Sequence, residues 1–85
     1  MGRWMPQFYI RVLNSDFESR DNRAEYDRPE SAMDAGIRSA AEIVADEVAG
    51  GRATAAAQVC IEDDTGAVVM RTVVSLSTSP LWVRG

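Results

Sequence analysis

Hydrophobic and polar positions follow three rhythms along the chain. Residues 7–13, Gln7-Phe8-Tyr9-Ile10-Arg11-Val12-Leu13, alternate with a period of two. That spacing predicts a strand with Phe8, Ile10 and Val12 on one face and Tyr9, Arg11 and Leu13 on the other. From Glu30 to Ala49 the period lengthens, and Met33, Ile37, Ala40, Ala41, Val44 and Val48 form one helical stripe, with Ser39, Glu42 and Asp46 roughly opposite. Asp27-Arg28-Pro29-Glu30 has capping-box spacing, with Asp27 as N-cap and Pro29 in the first turn. Gly50-Gly51 supplies a left-handed stop. Gly36, Ala40 and Ala41 are small enough to let the helix sit close on whatever it covers.

Period two then returns. Ala56–Glu62 and Ala67–Leu76 flank Asp63-Asp64-Thr65-Gly66, a turn whose glycine accepts positive φ. Pairing Glu62 with Ala67 sets Ile61 opposite Val68 and Val59 opposite Met70 on a core face. The same register sets Cys60 opposite Val69 and Gln58 opposite Arg71 on the other face. Between the first strand and the helix, Asn14 to Tyr26 alternates charge sign and has few apolar residues. Two readings fit it: a loop, or a loop with a short edge strand around Ala24–Tyr26, whose charges would discourage stray pairing. The second reading is the expectation. The expected fold is α+β: a single helix on one face of a three- to four-stranded antiparallel sheet, in the order β-(β)-α-β-β. Residues 5–76 form the domain, 1–4 an extension and 77–85 a polar tail ending Pro80-Leu81-Trp82-Val83-Arg84-Gly85.

Size narrows the picture. Eighty-five residues make one domain. A chain this short buries only ~60–65 % of its unfolded surface, so disulfides, metals or self-association commonly supplement its core. Cys60 is the single cysteine and there is no histidine. An internal disulfide is therefore impossible and no usual zinc ligand set is available, which leaves association. All nine basic residues are arginine and alanine is abundant, a GC-rich codon signature of the bacterial kind. The net charge of −4 disfavours unaided binding to nucleic acid or anionic membrane. No apolar run reaches ~18 residues, and Met1 to Pro6 lacks a signal-peptide core. These features predict a cytoplasmic protein.

Candidate chemistry is sparse. Asp64-Thr65-Gly66-Ala67 matches the D-T-G-A string of retroviral-type aspartic proteases, in which paired aspartates activate water. Here Glu62-Asp63 stand where those enzymes have a hydrophobic strand end, and the supporting apolar-Gly signature is missing, so the string reads as a turn. The same acidic residues lack the D-x-D-x-D-G spacing of a calcium loop. Cys60 has no histidine to activate it and reads as a small strand residue. Gly50-Gly51 closes a helix, whereas a phosphate loop opens one. Every Asp and Glu falls on an expected surface, so no carboxylate pair is placed for acid–base work. The expectation is a non-enzyme without catalytic residues, cofactor or metal.

The segments Met5-Pro6-Gln7-Phe8-Tyr9-Ile10, Glu30-Ser31-Ala32 with Ala40-Ala41-Glu42-Ile43, and Val59-Cys60-Ile61-Glu62-Asp63-Asp64-Thr65-Gly66-Ala67-Val68-Val69 occur in an order that resembles a family of short alphaproteobacterial proteins, domain of unknown function 6894. Its members open M-P-x-[YF]-[YF]-F, continue with an Ala- and Glu-rich helix and close on V-x-[VI]-x-D-E-x-G-x-x-[VL]. The resemblance covers residues 5–74 and implies that Met5 is the usual start. The family shows a Gly-containing turn before the helix, where this chain has Ser19-Arg20-Asp21-Asn22-Arg23. No activity or site residue follows from the resemblance.

One helix covers one face of a sheet. The uncovered face would present Tyr9, Arg11, Gln58, Val69 and Arg71 as an interaction surface, with Cys60 and Val73 among them. The expected partner is a second copy or another protein. Tyr9, Arg11 and Arg71 also suit base stacking and phosphate contact, so the alternative is a nucleic-acid-linked regulator or an antitoxin-like protein with an acidic surface. Three readings stand for Trp4 and Trp82: packing together over that face, anchoring a partner, or lying unpaired as disordered terminal residues.

Overall fold

A computed structural model describes residues 7–16 and 18–83. It contains β1 (Phe8–Leu13), β2 (Glu18–Tyr26), α1 (Pro29–Ala49), β3 (Thr54–Glu62) and β4 (Val68–Ser77). The strands form one antiparallel sheet in the order β2-β1-β3-β4. α1 lies across one face, as the hydrophobic pattern predicts, and among the described residues no element covers the other.

Beneath the helix, Phe8, Ile10 and Val12 of β1 meet Ala55, Ala57, Val59 and Ile61 of β3, all buried. From α1 come Ala32, Met33, Ala40 and Val44. The buried stripe is rotated from the expected one: Ile37 is 37 % exposed and Ala41 is exposed, while Ala32 and Gly36 are buried. A hydrophobicity pattern gives small residues little weight, yet they permit the closest approach of helix to sheet. A Cβ built on Gly36 would lie 2.5 Å from Val59 Cγ1 and 3.1 Å from Ile10 Cγ2.

The helix ends also depart from expectation. Arg28, not Asp27, occupies the N-cap position, with extended backbone, no side-chain cap and Pro29 next. Proline at the first helical position needs no N–H partner and is preset to helical φ, so this terminus forms without a capping box. At the C-terminus the positive φ falls on Gly51 (118°) alone, whereas Gly50 has φ −79°. The Gly51 amide donates to the Val48 carbonyl and the Arg52 amide to the Glu47 carbonyl, the two bonds of a Schellman motif.

Two strand assignments change. The segment read as a loop with a short strand near Ala24–Tyr26 is a nine-residue edge strand, β2. Its pairing breaks between Phe8↔Tyr26 and Ile10↔Asp21, which explains the absence of a clean alternation. In the second hairpin the Asp63 amide donates to the Ala67 carbonyl, so the turn closes one residue further out. A bulge then sets Glu62 opposite Val68, Ile61 opposite Met70 and Val59 opposite Thr72. The slip carries Val68 out of the core position expected for it, to 43 % exposure. Further along the strand it totals two residues, so each side chain keeps its expected face.

Candidate interaction face

Strand pairing carries Arg20, Arg11, Cys60 and Arg71 straight across the uncovered face, one residue from each strand. Side chains in such a row stand about 5 Å apart at Cβ. The neighbouring rows hold Tyr9 opposite Glu62, and Leu13, Gln58 and Val73 in line. The expected partners therefore shift: Arg71 faces Cys60 rather than Gln58, and Gln58 faces Val73. All five predicted residues, Tyr9, Arg11, Gln58, Val69 and Arg71, lie on the described strands.

The face divides into two halves of different chemistry. On the β2–β1 side, Glu62 is buried at 4 % exposure, contrary to the expectation that every carboxylate lies on the surface. Two guanidinium groups enclose it: Arg11 Nη2 lies 3.3 Å from Oε2 and Arg20 Nη2 3.2 Å from Oε1. Arg11 also approaches Glu18 at 4.0 Å, and Arg20 lies over the Tyr9 ring at 5.2 Å from its centroid. A buried carboxylate is tolerated when both oxygens face cations, and planar guanidinium groups suit both that role and the aromatic stack. The Nε of Arg11 is buried without a hydrogen-bond partner. Sequence reasoning misses Glu62 and Arg20 because Glu62 ends its strand beside the acidic turn Asp63-Asp64, where a carboxylate suits the surface, and Arg20 falls in the part of the 14–26 segment that reads as loop.

The β3–β4 side is apolar. Val69 is 45 % exposed and Val73 63 %, with Arg71 between them. Beside Arg71 on β3, Cys60 is buried as a free thiol. β4 has a single charged side chain, Arg71, whereas the opposite edge strand β2 contains Glu18, Arg20, Asp21, Arg23 and Glu25.

A groove of about 760 Å³ opens at one end of the sheet. It arises because β1 stops at Leu13, opposite Gln58, while β3 extends back to Thr54. Asn14 turns the chain away: its Oδ1 accepts the Asp16 amide at 2.8 Å and its Nδ2 donates to Glu47 Oε2 at 2.9 Å. Arg52 and Asp16 pair at 2.9 Å on the same corner. Its lining mixes aliphatic residues, Leu13, Val73 and Leu76, with the polar and charged Asn14, Glu47, Arg52 and Gln58.

Asp64, first residue of the protease-like string, is exposed at the hairpin tip. The conformational work falls to Asp63, whose Oδ1 accepts the Thr65 hydroxyl and amide and the Ala67 amide. The Thr65 hydroxyl, aided by backbone amides, holds the Asp63 carboxyl below its ordinary range. Among the described residues no three Cys, Asp or Glu side chains gather as a metal site, and no helix is long and apolar enough to cross a membrane. Trp82 is 95 % exposed, so it does not pack over the face. Trp4 lies outside the described residues.

A helix on one side of a four-stranded antiparallel sheet, with a clamped carboxylate and an apolar outer strand on the other, defines a small one-helix α+β domain. The chain belongs to the family described as a domain of unknown function, DUF6894, which matches residues 7–75. This agrees with the resemblance read from the sequence. No curated protein and no solved structure matches the chain.

Proposed function

We propose that this chain is a non-enzymatic interaction module that binds protein through the β3–β4 half of its uncovered face. The observation supporting it is the pairing of two exposed valines, Val69 and Val73, around Arg71 on a strand with no other charge. Apolar area with an arginine at its middle suits an interface core, which is more apolar than ordinary surface and enriched in arginine. The Tyr9–Arg11–Arg20–Glu62 cluster plays a different part: its cations are spent on the internal carboxylate, so it stiffens the face.

That pairing also weighs against the nucleic-acid reading. Of the three arginines in the cross-strand row, Arg11 and Arg20 are tied to Glu62, leaving Arg71 to meet phosphate, on a chain of net charge −4. A single cation–phosphate contact gives weak binding with only a shallow salt dependence, because the slope scales with the number of phosphates neutralised.

The test is association of the full chain, measured by light scattering, against the variant Val69→Ser/Val73→Ser. Both sites are exposed, so circular dichroism should be unchanged while association falls. Association that is indifferent to both substitutions would exclude this face as the interface.

A further inference from the structure

We infer that β4 pairs antiparallel with β4 of a second copy of this chain, joining two four-stranded sheets into one of eight strands. This rests on the reading above and names its partner. β4 runs for ten residues, Val68–Ser77, with β3 on one side and, among the described residues, no strand on the other. Alternate residues of such an edge direct backbone N–H and C=O groups outward, a template for another strand. Natural edges are normally blunted by charge, proline or bulges. β2, the opposite edge, has five charged residues in nine, while β4 has one in ten, no proline, and a bulge only at its start. One edge is protected and the other left open.

The sequence of β4 complements itself. A two-fold axis perpendicular to the sheet keeps both helices on one side and pairs residues whose numbers have an even sum. Centring on Arg71 would set two guanidinium groups against each other. Centring on Thr72 sets Arg71 beside Val73 of the second copy on the uncovered face, and Met70 beside Val74 on the helix face. Met70 and Val74 are half-buried against the core within one copy. Pairing would complete their cover and extend the Val69–Val73 strip across the seam.

Charge at Val73 tests the register, because each copy's Val73 would stand beside the other's Arg71. In light scattering and sedimentation, Val73→Lys is expected to weaken the dimer roughly tenfold, and Val73→Glu to leave it equal or tighter. In a Cys60→Ser background, Thr72→Cys should form an intermolecular disulfide when oxidised glutathione accepts the electrons of the two thiols. Ser75→Cys, displaced from the axis, should not. A monomeric wild-type chain overturns the pairing, as does equal weakening by lysine and glutamate, or a cross-link at Ser75→Cys but not at Thr72→Cys. If the wild type associates and loses association in Val69→Ser/Val73→Ser yet shows no charge-sign dependence, the edge pairing is wrong and the face reading stands. Should Thr72→Cys fail to fold, the lysine–glutamate comparison still decides.

Discussion

Gly36 and Val59 mark the closest approach of helix to sheet: a single added methyl on Gly36 would stand 2.5 Å from Val59 Cγ1. Val59 is fully buried, and Ile10 Cγ2 would lie 3.1 Å from the same methyl. Alanine at position 36 should gain up to ~1 kcal/mol of helix propensity, but overpacking costs about 1–3 kcal/mol. Gly36→Ala is therefore expected to lower stability by about 1–2 kcal/mol in urea unfolding. Combined with Val59→Ala, which makes room, its cost should be less than additive. Strict additivity would mean that the contact is not limiting.

Glu62 presents a second energetic commitment. Both oxygens face arginines, and the side chain is nearly sealed from solvent. Glu62→Gln removes the charge that Arg11 and Arg20 enclose. The arginines are 37 % and 43 % exposed at their side chains, so water would compensate part of the loss. A decrease of about 1–3 kcal/mol is expected in chemical unfolding. Asp64→Asn, at the exposed tip, should change stability by less than ~0.5 kcal/mol.

The hairpin turn should respond to acid. Thr65 and the turn amides favour ionised Asp63, so its folded pKa lies below its unfolded value. The resulting stabilisation is present above the unfolded pKa and disappears as pH falls through the folded one. Exchange of the Thr65 and Ala67 amides in wild type should be slower than in Asp63→Asn at neutral pH. The difference should shrink toward strongly acidic pH; a constant difference would assign the effect to shape rather than charge.

Gly51 and Gly50 separate conformational need from composition. Gly51 has φ 118°, outside the comfortable range of other residues, while Gly50 has φ −79°. Gly51→Ala is expected to cost about 1 kcal/mol, seen as a melting temperature lower by several degrees. Gly50→Ala should be close to neutral, although its Cβ would touch the Asp46 carbonyl at 3.3 Å.

These positions also indicate how much the sequence discloses. α1, β1, β3 and β4 announce themselves because each has one long apolar rhythm, and the two-residue slip in the β3–β4 register leaves every residue past the bulge on its expected face. β2 stays hidden: as an edge strand with broken pairing it needs no apolar alternation, and its charges resemble those of a loop. Asp27 looks like a better cap than Arg28, but Pro29 makes the cap dispensable. The open face was legible as a list of residues, Tyr9 to Arg71. Its division was not, because it depends on Arg20 reaching Glu62 across β1, forty-two positions along the chain. The groove beside Leu13 arises from unequal strand lengths, which no local pattern encodes.

The central question is whether the β3–β4 side of the sheet is an interface. The most direct measurement is the molar mass of the full chain by light scattering over a dilution series. A mass near twice 9.3 kDa, falling toward 9.3 kDa on dilution and at lower concentration than for Val73→Lys, is the expected result. A mass of 9.3 kDa throughout, identical in both proteins, would contradict it.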